Sequence, residues 1–186
     1  MRLPIRKYGD STLRAKGKRI ETVDEHIRSL AENMLETMHA ANGVGLAAQQ
    51  VGEALQLTVL DVSQVEDRPS TMKLNGEAMD IATTMPLVLL NPMLRMGEEK
   101  DSASEGCLSF PDITAEIDRA TSVELEAETL KGEKIYIEAS GLLSRALQHE
   151  VDHLNGILFI DRMSAAAKAS VASKLKRLQK ETQKQR

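Results

Sequence analysis

The stretch QHEVDHLNG, residues 148–156, places two histidines four residues apart with an acid beside each of them. Residues four apart lie on one face of a helix, so His149 and His153 can direct a ring nitrogen to the same point. An HExxH pattern is typical of zinc-type hydrolases, in which the glutamate, here Glu150, acts as a general base. Two other interpretations stay open: a hydrogen-bonded pair of core histidines, or a solvated helix face.

A third ligand decides which kind of metal site this pattern would form. Metzincins place another histidine six residues after the second one, and here that position is Phe159. Beyond Asp161 the chain offers one further acid, Glu181, close to its C-terminus. The third ligand is therefore expected upstream, where the single cysteine, Cys107, is the candidate.

A cysteine thiolate with two neutral imidazoles leaves one coordination position open, as a catalytic site requires. This set of ligands suits Zn²⁺ and Fe²⁺ about equally. The alternative is that Cys107 is a small buried hydrophobic residue. Because it follows Gly106 and lies near Pro111, we expect it on a bend rather than in a regular strand.

Three motifs in order give the chain a resemblance to a known family. They are GVGLAAQQ (43–50), EGCLS (105–109) and QHEVDH (148–153), and together they resemble the peptide deformylases. The resemblance implies hydrolysis of the N-formyl group from the initiator methionine of nascent polypeptides, with release of formate. It also implies one divalent metal ion, for which we expect Fe²⁺, with Zn²⁺ or another divalent ion as the alternative.

The resemblance also implies a role for each matched residue. Glu150 would take a proton from the attacking water and hand it to the leaving amine. The side-chain amide of Gln50 and the backbone N–H of Leu108 would donate to the developing oxyanion. The metal ligands would be Cys107, His149 and His153.

Substrate contacts are expected from the glycine motif and from the start of the metal helix. Gly43 and Gly45 admit a close backbone approach, so a peptide could pair there as an added strand; simple turn glycines are the alternative. For the methionine side chain we expect an apolar slot that is formed by Val44, Leu142 and Ala146.

Asp152 is expected to point away from the metal, since it neighbours His153 on the helix. A half-buried acid on such a helix needs a counter-charge, and Arg119 is the candidate. The pair would hold the helix against the strands; the alternative is an Asp152 that is exposed to water.

Composition favours a single soluble catalytic domain. The chain has 186 residues, 41% of them hydrophobic, with aromatic residues at 2% and one cysteine. One cysteine cannot form an intramolecular disulfide, which favours a reducing compartment. Neither a long apolar run nor the apolar core of a signal peptide is present, so we expect a cytoplasmic enzyme without a membrane span.

The charge is distributed unevenly along the chain. Residues 164–186 carry a net charge of +6, whereas residues 1–163 carry −10. We therefore divide the chain into a catalytic domain, 1–163, and a basic helical tail, 164–186. A basic tail suits a polyanion such as the RNA of a ribosome, and a solvated terminal helix is the alternative.

Periodicity predicts an α+β fold with antiparallel β-sheets around a central HExxH helix, an N-terminal helix and a C-terminal helix. We expect helices over 24–40, 141–155 and 164–183. Residues 63–86 lack a clear period and are expected to form an exposed insertion. Strands are expected over 57–62, 87–92 (ending at Asn91-Pro92), 113–117, 122–129 and 134–139, with a turn at Lys131-Gly132.

Two rival functions are also compatible with the sequence. One is another HExxH metallohydrolase, such as a peptidase, which would need no cysteine. The other is an RNA- or ribosome-binding protein in which the histidines are structural and the basic tail makes the contact. The metal content of a cysteine variant discriminates between these rivals and the deformylase interpretation.

Overall fold

The computed structural model describes residues 1–185; Arg186, the last residue of the predicted basic tail, lies outside the described residues. The chain folds as α+β, as the sequence predicts. Its helices are α1 (Glu25–Ala40), α2 (Ile81–Thr84), α3 (Leu142–Leu154) and α4 (Ala165–Lys184), with 3-10 turns at Ser11–Arg14, Ala48–Val51 and Phe159–Arg162.

All strand pairs in the two sheets are antiparallel. The larger sheet has the order β1-β2-β5-β8-β9-β3-β4, and the smaller one pairs β6 with β7. The strands are β1 (Gly45–Ala47), β2 (Leu57–Leu60), β3 (Ser70–Leu74), β4 (Glu77–Met79), β5 (Leu87–Met96), β6 (Lys100–Cys107), β7 (Phe110–Ala120), β8 (Ser122–Glu128) and β9 (Lys134–Gly141).

Helix α3 contacts strands of both sheets and is buried along almost its whole length. Twelve of its thirteen residues are buried, and its neighbours include β1, β2, β9 and β7. Gly156 ends the helix with φ +74°, and a Cβ there would lie 2.5 Å from the carbonyl oxygen of Arg14. Glycine at this position therefore both ends the helix and permits the close approach of the two segments.

The N-terminal helix begins as the sequence predicts. Asp24 caps α1 by accepting a hydrogen bond from the Ile27 N–H at 3.0 Å. The apolar face of α1, which includes Met34 and Met38, packs with Leu46 and Val59 in one of the hydrophobic clusters. This helix packs against β1 and β2, and the glycine motif follows directly after its last turn.

The predicted end of a strand at Asn91-Pro92 is wrong, because β5 continues to Met96. The β5–β8 register shifts between Leu90 and Met93, so Pro92 lies where the ladder is already interrupted. Asn91 adopts φ +51°, and its amide donates to the Ile20 carbonyl and accepts from the Ile20 N–H, both at 2.8 Å. The local sequence marks a bulge instead of a stop.

Residues 63–86 are more ordered than the sequence predicts. They contain β3, β4 and α2, and β3 pairs with β9 from Ser70–Gly141 to Leu74–Ile137. Asn75 and Gly76 both have positive φ, 51° and 87°, as a tight hairpin turn requires. The Asn-Gly signal was present in the sequence, but the alternation that flanks it is short and mostly polar.

Helix α4 is docked on the body of the protein along one narrow stripe. Ser164 caps it by accepting from the Ala167 N–H at 3.1 Å. Leu175 is buried in a cluster with Leu13 and Phe110, whereas the lysines and arginines between Lys168 and Lys184 are exposed. Across residues 1–185, no helix has the length and apolar character that a membrane span needs.

Candidate metal centre

Two elements bring the three predicted ligands together. Helix α3 presents His149 and His153 on one face, with their Nε2 atoms 3.2 Å apart. Cys107 is the last residue of β6, at a register shift, so the prediction that it lies outside a regular strand is wrong by one position. Its Sγ lies 3.3 Å from His153 Nε2, and one donor atom from each of the three residues lies within 4.8 Å of the others.

The convergence fits a divalent cation. Two nitrogens that each lie about 2.0–2.1 Å from a tetrahedral cation stand roughly 3.3 Å apart, close to the spacing seen here. Among residues 1–185, the Nδ1 atom of buried His153 has no hydrogen-bond partner. Burial and the neighbouring His149 lower the pKa of His153 well below its ordinary value, which favours the neutral imidazole that a metal needs.

Glu105 orients the first histidine. Its Oε1 lies 2.6 Å from His149 Nδ1, which turns Nε2 of the ring toward Cys107. Burial would lower the pKa of His149, but hydrogen bonds with Cys107 and Glu105 raise it well above its ordinary value. The sulfur and the carboxylate thus stabilise a positive charge at the position of this ring. Burial would likewise raise the pKa of Glu105, but hydrogen bonds from His149 and Arg119 lower it to about 2.

The predicted pair of Asp152 and Arg119 is confirmed, with Arg119 Nη1 2.6 Å from Asp152 Oδ2. The same guanidinium donates to Glu105 Oε1 at 2.7 Å, and Arg162 donates to Asp152 Oδ1 at 2.8 Å. The exposed fraction is 4% for the Arg119 side chain and 11% for that of Asp152. This buried network joins α3 to both strands of the smaller sheet and holds the cysteine-bearing strand in register with the histidines.

The side chain of Glu150 occupies space that Gly45 leaves open because it has no side chain. A Cβ at Gly45 would lie 2.5 Å from Glu150 Oε1, so only glycine leaves room for this carboxylate. Thr58 Oγ1 donates to Glu150 Oε2 at 3.4 Å. Burial raises the pKa of Glu150 to about 7, and a carboxyl group with such a pKa can both take and give a proton at neutral pH.

Gln50, and not the adjacent Gln49, reaches the ligand cluster. Its Oε1 accepts from the Ala47 N–H at 2.9 Å. Its Nε2 donates to Ser109 Oγ at 3.1 Å and lies 3.5 Å from Cys107 Sγ. Gln49 instead donates to the Leu154 carbonyl at 3.3 Å, so the motif register selected the glutamine beside Cys107.

A cavity of about 520 Å³ opens at this cluster. Its lining includes every predicted substrate residue, namely Gly43, Val44, Gly45, Leu142 and Ala146, and also Gln50, Cys107, Leu108, His149 and Glu150. Neither glycine has positive φ, and a Cβ at Gly43 would lie 2.7 Å from Leu108 Cδ1. Glycine at these two positions therefore leaves space for neighbouring side chains, and no left-handed backbone conformation requires it.

Four residues at the site were not found from the sequence. Arg145 donates to Glu105 Oε2 at 3.2 Å and to the Ile117 carbonyl at 2.7 Å; its place one helical turn before His149 was a usable signal. Thr58 contacts Glu150 from β2. Lys7 and Arg68 line the cavity. Only the tertiary fold brings them there, and their local sequence does not indicate it.

Comparisons with known proteins agree with the geometry. The family described as polypeptide deformylase matches residues 2–169. The peptide deformylase of Methylacidiphilum infernorum is 42% identical over 180 residues, which cover 97% of this chain and 94% of that protein. Peptide deformylase 1 of Clostridium acetobutylicum is 43% identical over 160 residues, 86% of this chain and 93% of that protein.

Solved structures are similar along nearly the whole chain. The peptide deformylase 1B of Arabidopsis thaliana, in complex with an inhibitor, superimposes with a TM-score of 0.85 at 36% identity and covers 98% of this chain and 93% of that one. The peptide deformylase of Thermus thermophilus gives 0.81 at 35% identity, with 97% and 99% covered. The chain thus belongs to the polypeptide deformylase family of metal-dependent enzymes, which remove the N-formyl group from the formyl-methionine of nascent polypeptides.

Proposed function

We propose that this chain deformylates nascent polypeptides with Cys107, His149 and His153 as the ligands of one divalent cation, and that the native cation is Fe²⁺, with Zn²⁺ as the alternative. The observation that carries the proposal is the convergence of one sulfur and two ring nitrogens within 4.8 Å. They meet beside a buried carboxylate and at the end of a cavity. On this proposal α3 is the metal-binding centre of the fold.

When bound, the cation supplies a Lewis acid that polarises the formyl carbonyl and makes a water molecule more acidic. Glu150 accepts a proton from the water as its oxygen bonds to the formyl carbon. The same carboxyl group then delivers that proton to the amine nitrogen as the C–N bond breaks, which yields formate and a free N-terminus. The pKa of Glu150, near 7, supports both transfers.

Gln50 and Leu108 stabilise the formyl oxygen as it gains negative charge. The Gln50 side-chain amide and the Leu108 backbone N–H lie beside Cys107, where that oxygen would be. The hydrogen bond from the Ala47 N–H to Gln50 Oε1 fixes which end of the amide faces the site. Loss of one such donor typically costs about 10² to 10³ in turnover, which is the loss we expect for Gln50→Ala.

The substrate backbone is proposed to pair with the outer edge of β1. This strand is the terminal one of its sheet and pairs only with β2 within the described structure. Its residue Gly45 lines the cavity together with Val44. Leu142 and Ala146, one helical turn apart on α3, complete the slot for the methionine side chain, and norleucine should be accepted because it has a similar apolar volume.

The direct test measures formate release from formyl-Met-Ala together with bound metal. Cys107→Ala should lose both metal and activity. Glu150→Ala should keep the metal and lose turnover, since its carboxylate moves protons without being a ligand. A Cys107→Ala protein that retains both properties would contradict the ligand set, and metal replacement under anaerobic conditions would decide between Fe²⁺ and Zn²⁺.

Helix α4 is proposed to contact the ribosome in the cytoplasm. Its cations, such as Lys176 and Lys180, are exposed on the side opposite the stripe that contains Leu175. Deleting residues 164–186 would remove Leu175 from the core, so charge substitution is the cleaner test. Lys176→Gln with Lys180→Gln should weaken ribosome binding most at low salt and leave hydrolysis of formyl-Met-Ala unchanged; unchanged ribosome binding would contradict this contact.

A further inference from the structure

Two half-buried cations line the active-site cavity without a carboxylate partner. Lys7 Nζ donates to the Leu108 carbonyl at 2.8 Å, and Arg68 Nη1 lies 3.4 Å from the Ser104 carbonyl. Both residues belong to the lining of the cavity. Within residues 1–185, neither side chain forms an ion pair.

The buried arginines of the same site, unlike Lys7 and Arg68, form ion pairs with carboxylates. Arg119 pairs with Glu105 and Asp152, and Arg145 pairs with Asp101 and Glu105. A guanidinium has five N–H donors, and Arg68 uses one of them in a long contact to a backbone carbonyl. Its charge and most of its donors therefore remain available to a group that enters the cavity.

The backbone beside Arg68 is held firmly against the start of α3. The carbonyl oxygen of Pro69 accepts from the Leu142 N–H at 3.2 Å. A Cβ at Gly141 would lie 2.1 Å from that same oxygen, which shows how closely the two segments approach. The ordered insertion thus fixes Arg68 next to Leu142, which lines the slot expected for methionine.

The position of Arg68 along the cleft indicates which part of a peptide it meets. Its backbone partner, Ser104, precedes Cys107 by three residues in β6, a separation of roughly 10 Å along an extended strand. An extended peptide that runs from the ligand cluster toward Ser104 covers the same distance in about three residues. A side chain held by Arg68 therefore belongs to the second or third residue of the substrate.

We propose that Arg68, assisted by Lys7, makes this enzyme prefer formyl-methionyl peptides with an acidic side chain at the second or third position. The proposal rests on the proposed deformylase mechanism and adds a substrate preference to it. Arg68 faces the peptide there, Lys7 adds positive charge to the lining of the same cavity, and the acids that share the lining are weak competitors. Glu105 is already bonded to Arg119 and Arg145, Glu150 lies at the reacting end, and Asp112 is exposed to solvent.

The test compares kcat and KM for formyl-Met-Glu-Glu-Ser, formyl-Met-Gln-Gln-Ser and formyl-Met-Lys-Lys-Ser at low salt. For the unsubstituted protein we expect a KM for the acidic peptide about fivefold lower than for the neutral one, the size of one partly screened charge pair. Arg68→Gln should remove that difference with kcat unchanged. Arg68→Glu should reverse the order, so that the lysine peptide is preferred.

The matched control is Arg28→Gln, which removes an exposed arginine that donates to the Leu130 carbonyl and does not line the cavity. It should leave the ratios between the three peptides unchanged. Equal KM values in the unsubstituted protein, or an Arg68→Gln effect that is the same for all three peptides, would overturn the proposal. Because the readout is a ratio among turned-over substrates, it is distinct from a failure of deformylation, which would abolish formate release from all three.

Discussion

At position 45 the chain depends on the absence of a side chain. Gly45 does not need glycine for its backbone angles; it needs glycine because the Glu150 carboxylate occupies the volume of a Cβ. The GVG motif is therefore a packing partner of the proposed general base, Glu150, in addition to being the proposed backbone edge for substrate. This link between two motifs 105 residues apart in sequence is visible only in the folded chain.

Gly45→Ala should displace the Glu150 carboxylate and lower kcat by about 10- to 100-fold, because small errors in the placement of a catalytic group are costly. Bound metal should be unchanged, since Glu150 is not a proposed ligand. The control is a double-mutant cycle on stability: in a Glu150→Ala background, where the volume is vacant, Gly45→Ala should lower the free energy of unfolding little further. Full activity of Gly45→Ala would show that the carboxylate position is not critical.

Asp152 is the second residue with a testable role, which is to stabilise the buried guanidinium of Arg119. Asp152→Asn leaves the guanidinium of Arg119 buried with one acid fewer, so the free energy of unfolding should fall by about 3 kcal/mol, as for other broken buried pairs. Chemical denaturation measures this change. Glu124→Gln, which breaks the exposed pair with Arg95, is the matched control and should change stability little; equal effects of the two substitutions would contradict a structural role for the buried network.

Among the elements, an ion pair between Arg14 and Asp161 connects the 3-10 turn Ser11–Arg14 to the 3-10 turn Phe159–Arg162. Arg14 Nη2 donates to Asp161 Oδ1 at 3.0 Å. Burial would raise the pKa of Asp161, but the hydrogen bonds from Arg14 and from the Leu158 N–H lower it below its ordinary value. This ion pair connects the N-terminal segment to the segment that leads into α4.

Because the folded pKa of Asp161 is depressed, its stabilising effect is fully present above the unfolded value of about 3.9 and is lost as the pH falls through the folded value. Asp161→Asn should lower the free energy of unfolding at pH 7 by less than about 1 kcal/mol, since both partners are partly exposed. The difference from the unsubstituted protein should shrink below about pH 4. A difference that stays constant from pH 7 down to pH 2.5 would show that charge is not its cause.

Elements that local sequence determines could be predicted, and elements that depend on a partner strand could not. Helices α1 and α3 carry periodic apolar faces with Asp24 and Gly156 at their ends, so local sequence determined them. Residues 70–79 form a hairpin whose outer face is polar, and its stability comes from pairing with β9. Pro92 was interpreted as a strand stop, because the bulge that accommodates it depends on the partner strand β8.

For the whole molecule, the sequence predicted well that the motif residues converge, and it predicted poorly the contacts that support them. Cys107, His149, His153 and Glu150 lie in motifs with fixed spacing, and the fold brings them together as expected. Glu105 bonds to His149 and to two arginines, and the motif in which it lies does not predict these contacts. Such networks depend on several elements at once, and no single periodic pattern in the chain encodes them.

X-ray absorption of the Zn²⁺-substituted protein tests whether a thiolate from β6 and two imidazoles from α3 share one cation. We expect one sulfur at about 2.3 Å and two imidazole nitrogens at about 2.0–2.1 Å, with a light-atom ligand in the fourth position. The sulfur contribution should vanish in Cys107→Asp. A spectrum of the unsubstituted protein without sulfur, or with fewer than two imidazoles, would show that Cys107, His149 and His153 do not bind one cation together.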